Sequence, residues 1–320
     1  MKVESIAAID VGSNAVRLLI NNVEDYEERK ALKKNAYIRV PLRLGEDVFA
    51  AGRLGEPKIE ALVETMRSFR GLMNVFGVRL YRACATSAMR EAVNGAEAAA
   101  RVQRETGLQI EIISGAEEAE LIFAAGCLED LMSPEGHYLH VDVGGGSTEV
   151  VLYSRQRKIE ARSFPIGTLR MLAGKVDPQV EDDFRRRLKV IGQSRAPLRI
   201  IASGGNINKT LKLLGKKDGE TVGRDLLAAF HQELSALNFE ERLARYQMNS
   251  YRADVIVPAL EIFLTIGQLC NVTDYIIPKV GLADGIIQSA WSALDNAASA
   301  ALPAGKAPPS EALFHMPGLR

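Results

Sequence analysis

Asp142 and Glu149 bracket the run Val143-Gly144-Gly145-Gly146-Ser147-Thr148. Residues without a β-carbon let backbone N–H groups approach an anion closely, so three consecutive glycines followed by Ser147 and Thr148 read as a phosphate cradle. Two carboxylates beside such a cradle would repel phosphate unless a hard cation lay between them. Mg²⁺ suits that place, because it takes one or two protein carboxylates and completes its shell with phosphate oxygens and water. Asp142 and Glu149 are therefore read as metal positions, the alternative being a tight turn with polar ends. Near the start of the chain Asp10-Val11-Gly12-Ser13-Asn14 repeats the Asp-Val-Gly pattern, which weakens that alternative.

Three further stretches carry chemistry. Ser87 reads as a helix N-cap, which puts Arg90 in the first turn, where the macrodipole disfavours a cation. A bound anion would resolve that conflict; a solvated arginine reaching past the helix end is the alternative. In Ile113-Ser114-Gly115-Ala116-Glu117-Glu118, Ser114 and Glu117 match a capping box. Glu118 instead shares its helix face with Leu121, Ile122 and Ala125, so its carboxylate is expected on the apolar stripe. A carboxylate there would have a raised pKa suited to taking a proton from water, unless it is a buried glutamate paired with an arginine. Finally, Ala202-Ser203-Gly204-Gly205-Asn206 joins a strand to a helix and offers another anion site at Gly204 and Gly205. His137, His140, His231 and His315 lack the spacing of a metal or nucleophile cluster.

Short glycine-bounded apolar runs alternating with longer helical patterns must position these groups, which predicts an α/β protein. Strands are expected near Ser5 to Ile9, Ala15 to Val23, Leu80 to Cys84, Gln109 to Ile113, Tyr138 to Val143, Thr148 to Tyr153, Lys158 to Phe164, Arg199 to Ala202 and Tyr275 to Ile277. Helices are expected near Pro57 to Phe76, Ala88 to Glu105, Ala116 to Asp130, Gln179 to Ile191, Asn206 to Leu214, Arg224 to Leu237, Arg252 to Cys270 and Asp284 to Ala297. The repeated hairpin suggests two duplicated domains facing each other across a cleft. The expected division is residues 1–123 with a C-terminal helix at 286–300, then 124–285, with 301–320 a mobile tail.

The chain has 320 residues, 40 Lys and Arg against 40 Asp and Glu, and 47% apolar residues, enough for two compact cores. Its most apolar stretch, Val255 to Gly267, is too short for a membrane span, and no cleavable-signal layout opens the chain, so a cytoplasmic protein is expected. Cys84, Cys127 and Cys270 are read as small buried apolar groups. The neutral total hides a basic middle: residues 151–220 hold 16 Lys and Arg against 7 Asp and Glu. That window reads either as a solvated face or as a wall for a polyanion, and its scarcity of aromatics argues against nucleic acid.

These stretches together resemble the exopolyphosphatase and guanosine pentaphosphate phosphohydrolase family, in the actin-like, sugar-kinase-like superfamily. The resemblance spans residues 3 to about 290 and rests on Ile9-Asp10-Val11-Gly12-Ser13-Asn14, Arg43-Leu44-Gly45-Glu46, Thr86-Ser87-Ala88-Met89-Arg90-Glu91-Ala92, Ile112-Ile113-Ser114-Gly115-Ala116-Glu117-Glu118-Ala119 and Asp142 to Glu149. It implies two ribonuclease-H-like domains, with Glu118 as base for the attacking water. Asp142 and Glu149 would be magnesium carboxylates, with Asp10 in support. Gly12, Ser13, Asn14, Arg90, Gly144, Gly145, Gly146, Ser147 and Thr148 would contact phosphate. A homodimer hydrolysing inorganic polyphosphate is the implied enzyme; the same residues would serve guanosine pentaphosphate, and a non-catalytic polyphosphate or alarmone sensor is the alternative. Ala15 and Ala283-Asp284 depart from the family pattern, where a hydroxyl residue and an Arg-Glu pair often stand.

Overall fold

The computed structural model describes residues 4–26, 29–125, 128–300 and 314–315. They divide into two compact units, one from residues 1–126 together with 282–320 and the other from residues 127–281.

In the first unit β1 (Glu4–Val11), β2 (Val16–Tyr26) and β3 (Arg29–Val40) form an antiparallel meander. β4 (Val78–Ala85) lies parallel to β1, and β5 (Glu111–Ile112) parallel to β4. A parallel step needs a crossover, which the helices Leu44–Ala51 and Glu56–Val75 provide. Pro57 stands in the first turn of the longer helix, where its missing N–H costs nothing. With Ala7, Ala8 and Ile9 fully buried, β1 is covered on both faces, as a near-continuous apolar strand must be. The helix Leu282–Ala300 packs Leu282, Ile286 and Ile287 against Leu121 and Ile122 in this unit's core.

The second unit repeats the plan. β6 (His137–Val143), β7 (Thr148–Ser154) and β8 (Arg157–Phe164) are an antiparallel meander, β9 (Leu198–Ser203) is parallel to β6, and β11 (Asp274–Ile276) is parallel to β9, with β10 (Thr221–Gly223) antiparallel at the edge. The repeated Asp-Val-Gly hairpin is thus the first turn of the same strand order in both units. The core of this unit gathers Val141, Ile200, Leu188, Phe263 and Tyr275 around the sheet.

Some expectations need correction. β3 was not anticipated: its Lys30, Lys33 and Lys34 obscure the strand pattern, while lysines suit an edge strand that must not pair further. The helix expected from Ala88 to Glu105 is two, Ser87–Glu91 and Gly95–Thr106. Asn94 separates them by accepting from Leu54 N and donating to Leu54 O, both at 2.9 Å. The helix expected over Ala116 to Asp130 stops at Phe123. That expected over Arg252 to Cys270 begins anew at Ile256, with Pro258 in its first turn. Helices Leu44–Ala51, Thr168–Leu172 and Phe239–Tyr246 were also unanticipated. Cys84 and Cys270 are buried and unoxidised, their thiols pushed up to about 12 by burial, and Cys127 lies outside the described residues. Of the tail 301–320, the described pair Phe314–His315 forms β12, antiparallel to β4; its other residues lie outside the described set. No helix among the described residues is long and apolar enough to cross a membrane.

Candidate active site

In the first unit the turn after β1 is braced by two other motifs. Gly12 N–H donates to Ala15 O at 3.1 Å, and Thr86 N–H to Val11 O at 3.2 Å. Arg43 N–H donates to Asn14 O and Gly45 N–H to Ser13 O, at 3.1 and 2.9 Å. The Arg43-Leu44-Gly45-Glu46 stretch is therefore a strut for the turn. Ser13 Oγ accepts from Ala88 N–H at 3.2 Å, capping the helix Ser87–Glu91 from a distant segment. Ser87 is not the cap; Thr86 holds that position without a side-chain bond, and the Ser87 hydroxyl donates to Glu91 at 3.0 Å. As an acceptor towards Ala88, Ser13 retains its own proton for a ligand.

Asp10 lies at the end of β1, and its Oδ2 accepts from Arg17 Nη1 at 2.5 Å. A methyl added at Gly12 would come 3.3 Å from that Arg17 nitrogen and 3.5 Å from Asp10 Oδ1, so glycine keeps this approach open. The arginine was not singled out from sequence. Its guanidinium takes one carboxylate oxygen of Asp10, Oδ2, where a cation would otherwise sit.

Glu118 is 7% exposed, on the helix face it shares with Leu121 and Ile122. Arg90 Nη1 stands 3.7 Å from its Oε2 and donates to Ile113 O at 2.9 Å. The apolar placement is as expected, and the arginine of the alternative reading stands beside it. Ser114 caps the helix by accepting from Glu117 N–H at 3.1 Å. The reciprocal half of the expected capping box is absent: the Glu117 carboxylate meets Arg82 at 2.8 Å, beside Glu111 at 2.9 Å.

In the second unit Asp142 and Glu149 are directly opposed across β6 and β7, which places both carboxylates on one face of the sheet. The loop beyond them is shaped by the segment after β8. Gly144 O accepts from Thr168 N–H at 3.1 Å, Gly145 O from Leu169 N–H at 2.8 Å, and Gly146 O from Arg170 Nε at 2.8 Å. In a trans peptide the following N–H points the opposite way. The N–H groups of Gly145, Gly146 and Ser147 are therefore turned away from residues 166–170, as an anion cradle requires. The fit depends on Gly167, where a methyl would come 2.5 Å from Gly146 C and 2.6 Å from Gly145 C. Thr148, by contrast, is fully buried and donates its hydroxyl to Ile166 O at 2.6 Å, so its side chain braces the turn.

Glu149 Oε1 accepts from Ser147 Oγ at 2.7 Å and Ser163 Oγ at 2.8 Å. Asp142 Oδ1 accepts from Ser203 Oγ at 2.5 Å. Gly204 follows with φ 115°, and a methyl there would lie 2.9 Å from Val143 O and 3.5 Å from Asp142 Oδ1. Glycines 204 and 205 thus join Asp142, Glu149 and the triple-glycine turn at the carboxyl ends of β6 and β9, where open α/β sheets bind ligands. Behind them His140, fully buried, meets Ser203 Oγ through Nε2 at 2.9 Å, and burial pushes its pKa down to about 4.

Two hard carboxylates beside a phosphate cradle fit Mg²⁺, which needs few protein ligands. No cluster of three or more His, Cys, Asp or Glu that could hold a metal occurs among the described residues, so any such ion would rely on phosphate and water for most of its shell. Much of the basic window is internally neutralised: Arg162, Arg185, Arg186 and Arg187 pair with Glu160, Glu181 and Asp183. Arg170, buried in the same window, braces the back of the glycine turn through Gly146 O. Ala15 and Ala283 are both buried, and Asp284 pairs with Lys34 at 2.5 Å.

Two α/β units with a common mixed strand order, each turning through Asp-Val-Gly into a glycine-shaped loop, define a protein of the actin-like fold. The chain belongs to the Ppx/GppA phosphatase family, whose profile matches residues 27–293. It is 34% identical over 176 residues to Exopolyphosphatase 2 of Mycobacterium tuberculosis, covering 53% of this chain and 54% of that one. It is 24% identical over 302 residues to the Putative exopolyphosphatase of Haemophilus influenzae, covering 90% and 91%. The chain thus spans about half the length of the mycobacterial relative. The crystal structure of the Aquifex aeolicus Ppx/GppA family member superimposes with a TM-score of 0.71 at 28% identity, over 91% of this chain and 98% of that one. An exopolyphosphatase structure from Cytophaga hutchinsonii shares the fold, with a TM-score of 0.77 at 23% identity over 92% and 98%.

Proposed function

We propose that this protein is a cytoplasmic, homodimeric phosphohydrolase that releases terminal orthophosphate from inorganic polyphosphate with Mg²⁺ as cofactor. The observation that carries the reading is the loop after β6. Its three glycine carbonyls are bound by residues 168–170, and its N–H groups face away from them, beside the opposed Asp142 and Glu149. Such a loop accepts a phosphoryl group and stabilises charge that develops on its oxygens. The relatives named as exopolyphosphatases support the substrate class.

Asp142 and Glu149 would hold the magnesium ion, which when bound neutralises charge shared between neighbouring phosphates. The Ser13 hydroxyl and the N–H groups of residues 145–147 bind phosphate oxygens. Glu118 orients the attacking water and takes its proton, with Arg90 fixed by Ile113 O beside it. Glu118→Gln should abolish phosphate release, by roughly 10²- to 10⁴-fold for a general base, while polyphosphate binding is retained. Unchanged turnover would remove Glu118 from this role. Guanosine pentaphosphate assayed beside polyphosphates of defined length, each with and without Mg²⁺, decides the substrate. Light scattering on the purified protein decides the dimer.

A further inference from the structure

Ser203, His140 and Asp142 are the three residue types of a hydrolytic triad, but they are wired in another order. In a triad the histidine stands between the other two and takes the serine proton. Here Ser203 stands in the middle, bonded to Asp142 Oδ1 at 2.5 Å and to His140 Nε2 at 2.9 Å. A serine carries one proton, and a carboxylate can only accept, so that proton points at Asp142. His140 must then donate through Nε2–H to the serine oxygen. The result is one directed chain, His140 Nε2–H to Ser203 Oγ–H to Asp142 Oδ1, in which each bond polarises the next.

Two observations mark the chain as more than packing. Ser203 and His140 are both 0% exposed, so water does not compete for any of these bonds. His140 Nδ1 is buried with no hydrogen-bond partner, an uncompensated polar atom that a leucine or valine at this core position would avoid. The strands fix the geometry, since His140 and Asp142, two residues apart on β6, share a face and Ser203 is the β9 register partner of Asp142.

We infer that Ser203 and His140 are positioning residues that hold the Asp142 carboxylate in one orientation as a ligand for a divalent cation. The inference rests on the reading of Asp142 as a metal carboxylate given above. Tying Oδ1 to a buried hydroxyl stops rotation about the last side-chain bond, so the ligand is set before the cation arrives. Partners behind metal ligands change metal affinity by about 10- to 100-fold when removed.

The test is calorimetric titration of Mn²⁺, as a probe of the magnesium position, into the full-length protein and its variants, with circular dichroism to establish folding. Ser203→Ala should weaken binding by about 10- to 100-fold. His140→Phe, which removes the donor, should weaken it less, and His140→Gln, which restores an N–H, should recover most of the loss. In an Asp142→Asn background Ser203→Ala should have no further effect, which a merely structural serine would not reproduce. Folded Ser203→Ala or His140→Phe protein binding Mn²⁺ like the wild type would overturn the positioning role alone. Wild-type protein that releases phosphate yet binds no Mn²⁺ would overturn the metal reading, and this inference with it.

Discussion

Gly285→Ala tests whether the helix carrying Glu118 is held in place by backbone contact. Gly285 lies in the first turn of the helix Leu282–Ala300, where an added methyl would overlap the carbonyl carbon and oxygen of Leu121 and stand 3.1 Å from Ile122 N. The obstacle is backbone, so no side-chain rotation relieves it, and the two helices must separate. Separation loosens the packing of Leu121, Ile122, Ile286 and Ile287, all buried in one cluster. Overpacking of this kind costs about 1–3 kcal/mol. Alanine recovers about 0.5–1 kcal/mol of that through helix propensity. Because the clash is with main chain, the upper part of the range applies, for a net loss of about 2 kcal/mol. Glu118, the proposed base, sits one turn before Leu121, and displacement of a catalytic group by about 1 Å can lower turnover about 10²-fold. Urea unfolding followed by Trp291, the single tryptophan and a neighbour of this cluster, measures the first effect; phosphate release from polyphosphate measures the second. Gly71→Ala is the control: that exposed helical glycine has nothing within 4 Å of an added methyl, and alanine there should stabilise by about 0.5–1 kcal/mol. If Gly285→Ala matched the control in stability and the wild type in turnover, the backbone-contact argument would be wrong.

Three further outcomes are expected. Arg170→Lys removes the guanidinium bond to Gly146 O and should raise KM for polyphosphate about tenfold, roughly 1.4 kcal/mol, while an unchanged KM would detach Arg170 from the cradle. Gly204→Ala forces a side chain into φ 115° and against Val143 O, and should lower stability by about 1–3 kcal/mol in thermal unfolding. His140 is held neutral, its pKa about 4 against an ordinary 6.5, so as pH falls below 6.5 the unfolded chain binds a proton that the native one refuses. That group therefore stabilises the fold fully above pH 6.5 and withdraws about 3 kcal/mol by pH 4. Denaturation curves at several pH values should show this slope in the wild type and lose it in His140→Val.

The parts of the site that were legible in the sequence are those built locally. The glycine turns, the apolar face of Glu118 and the two hairpins each depend on residues within a few positions of one another. Arg17, Arg170 and Ser203 could not be read, because their partners Asp10, Gly146 and Asp142 lie 7, 24 and 61 residues away and are brought together only by the sheet. The same holds for the fold. Alternating apolar strands announced themselves, but lysine-rich β3 did not, and the interruption at Asn94 is written in its two bonds to Leu54, 40 residues distant. Glu117 shows the limit of a local motif: its spacing from Ser114 is right for a capping box, yet its carboxylate pairs with the buried Arg82 of β4.

The repeated Asp-Val-Gly signature also conceals an asymmetry that bears on the chemistry. Asp10 meets a full positive charge, Arg17 Nη1 at 2.5 Å, whereas Asp142 meets a neutral hydroxyl, Ser203 Oγ at the same distance. An ion pair cancels much of the field that would attract a second cation, whereas a hydroxyl bond orients a carboxylate. Asp142 further has Glu149 directly across the sheet, so two negative charges share one face, an arrangement that favours a cation to separate them. The duplicated turns have thus been assigned different electrostatics by single residues on adjacent strands. The proposed metal role therefore falls on the second turn, where Asp142 and Glu149 are opposed, and the proposed phosphate contact of the first on the Ser13 hydroxyl, beside the Asp10–Arg17 pair.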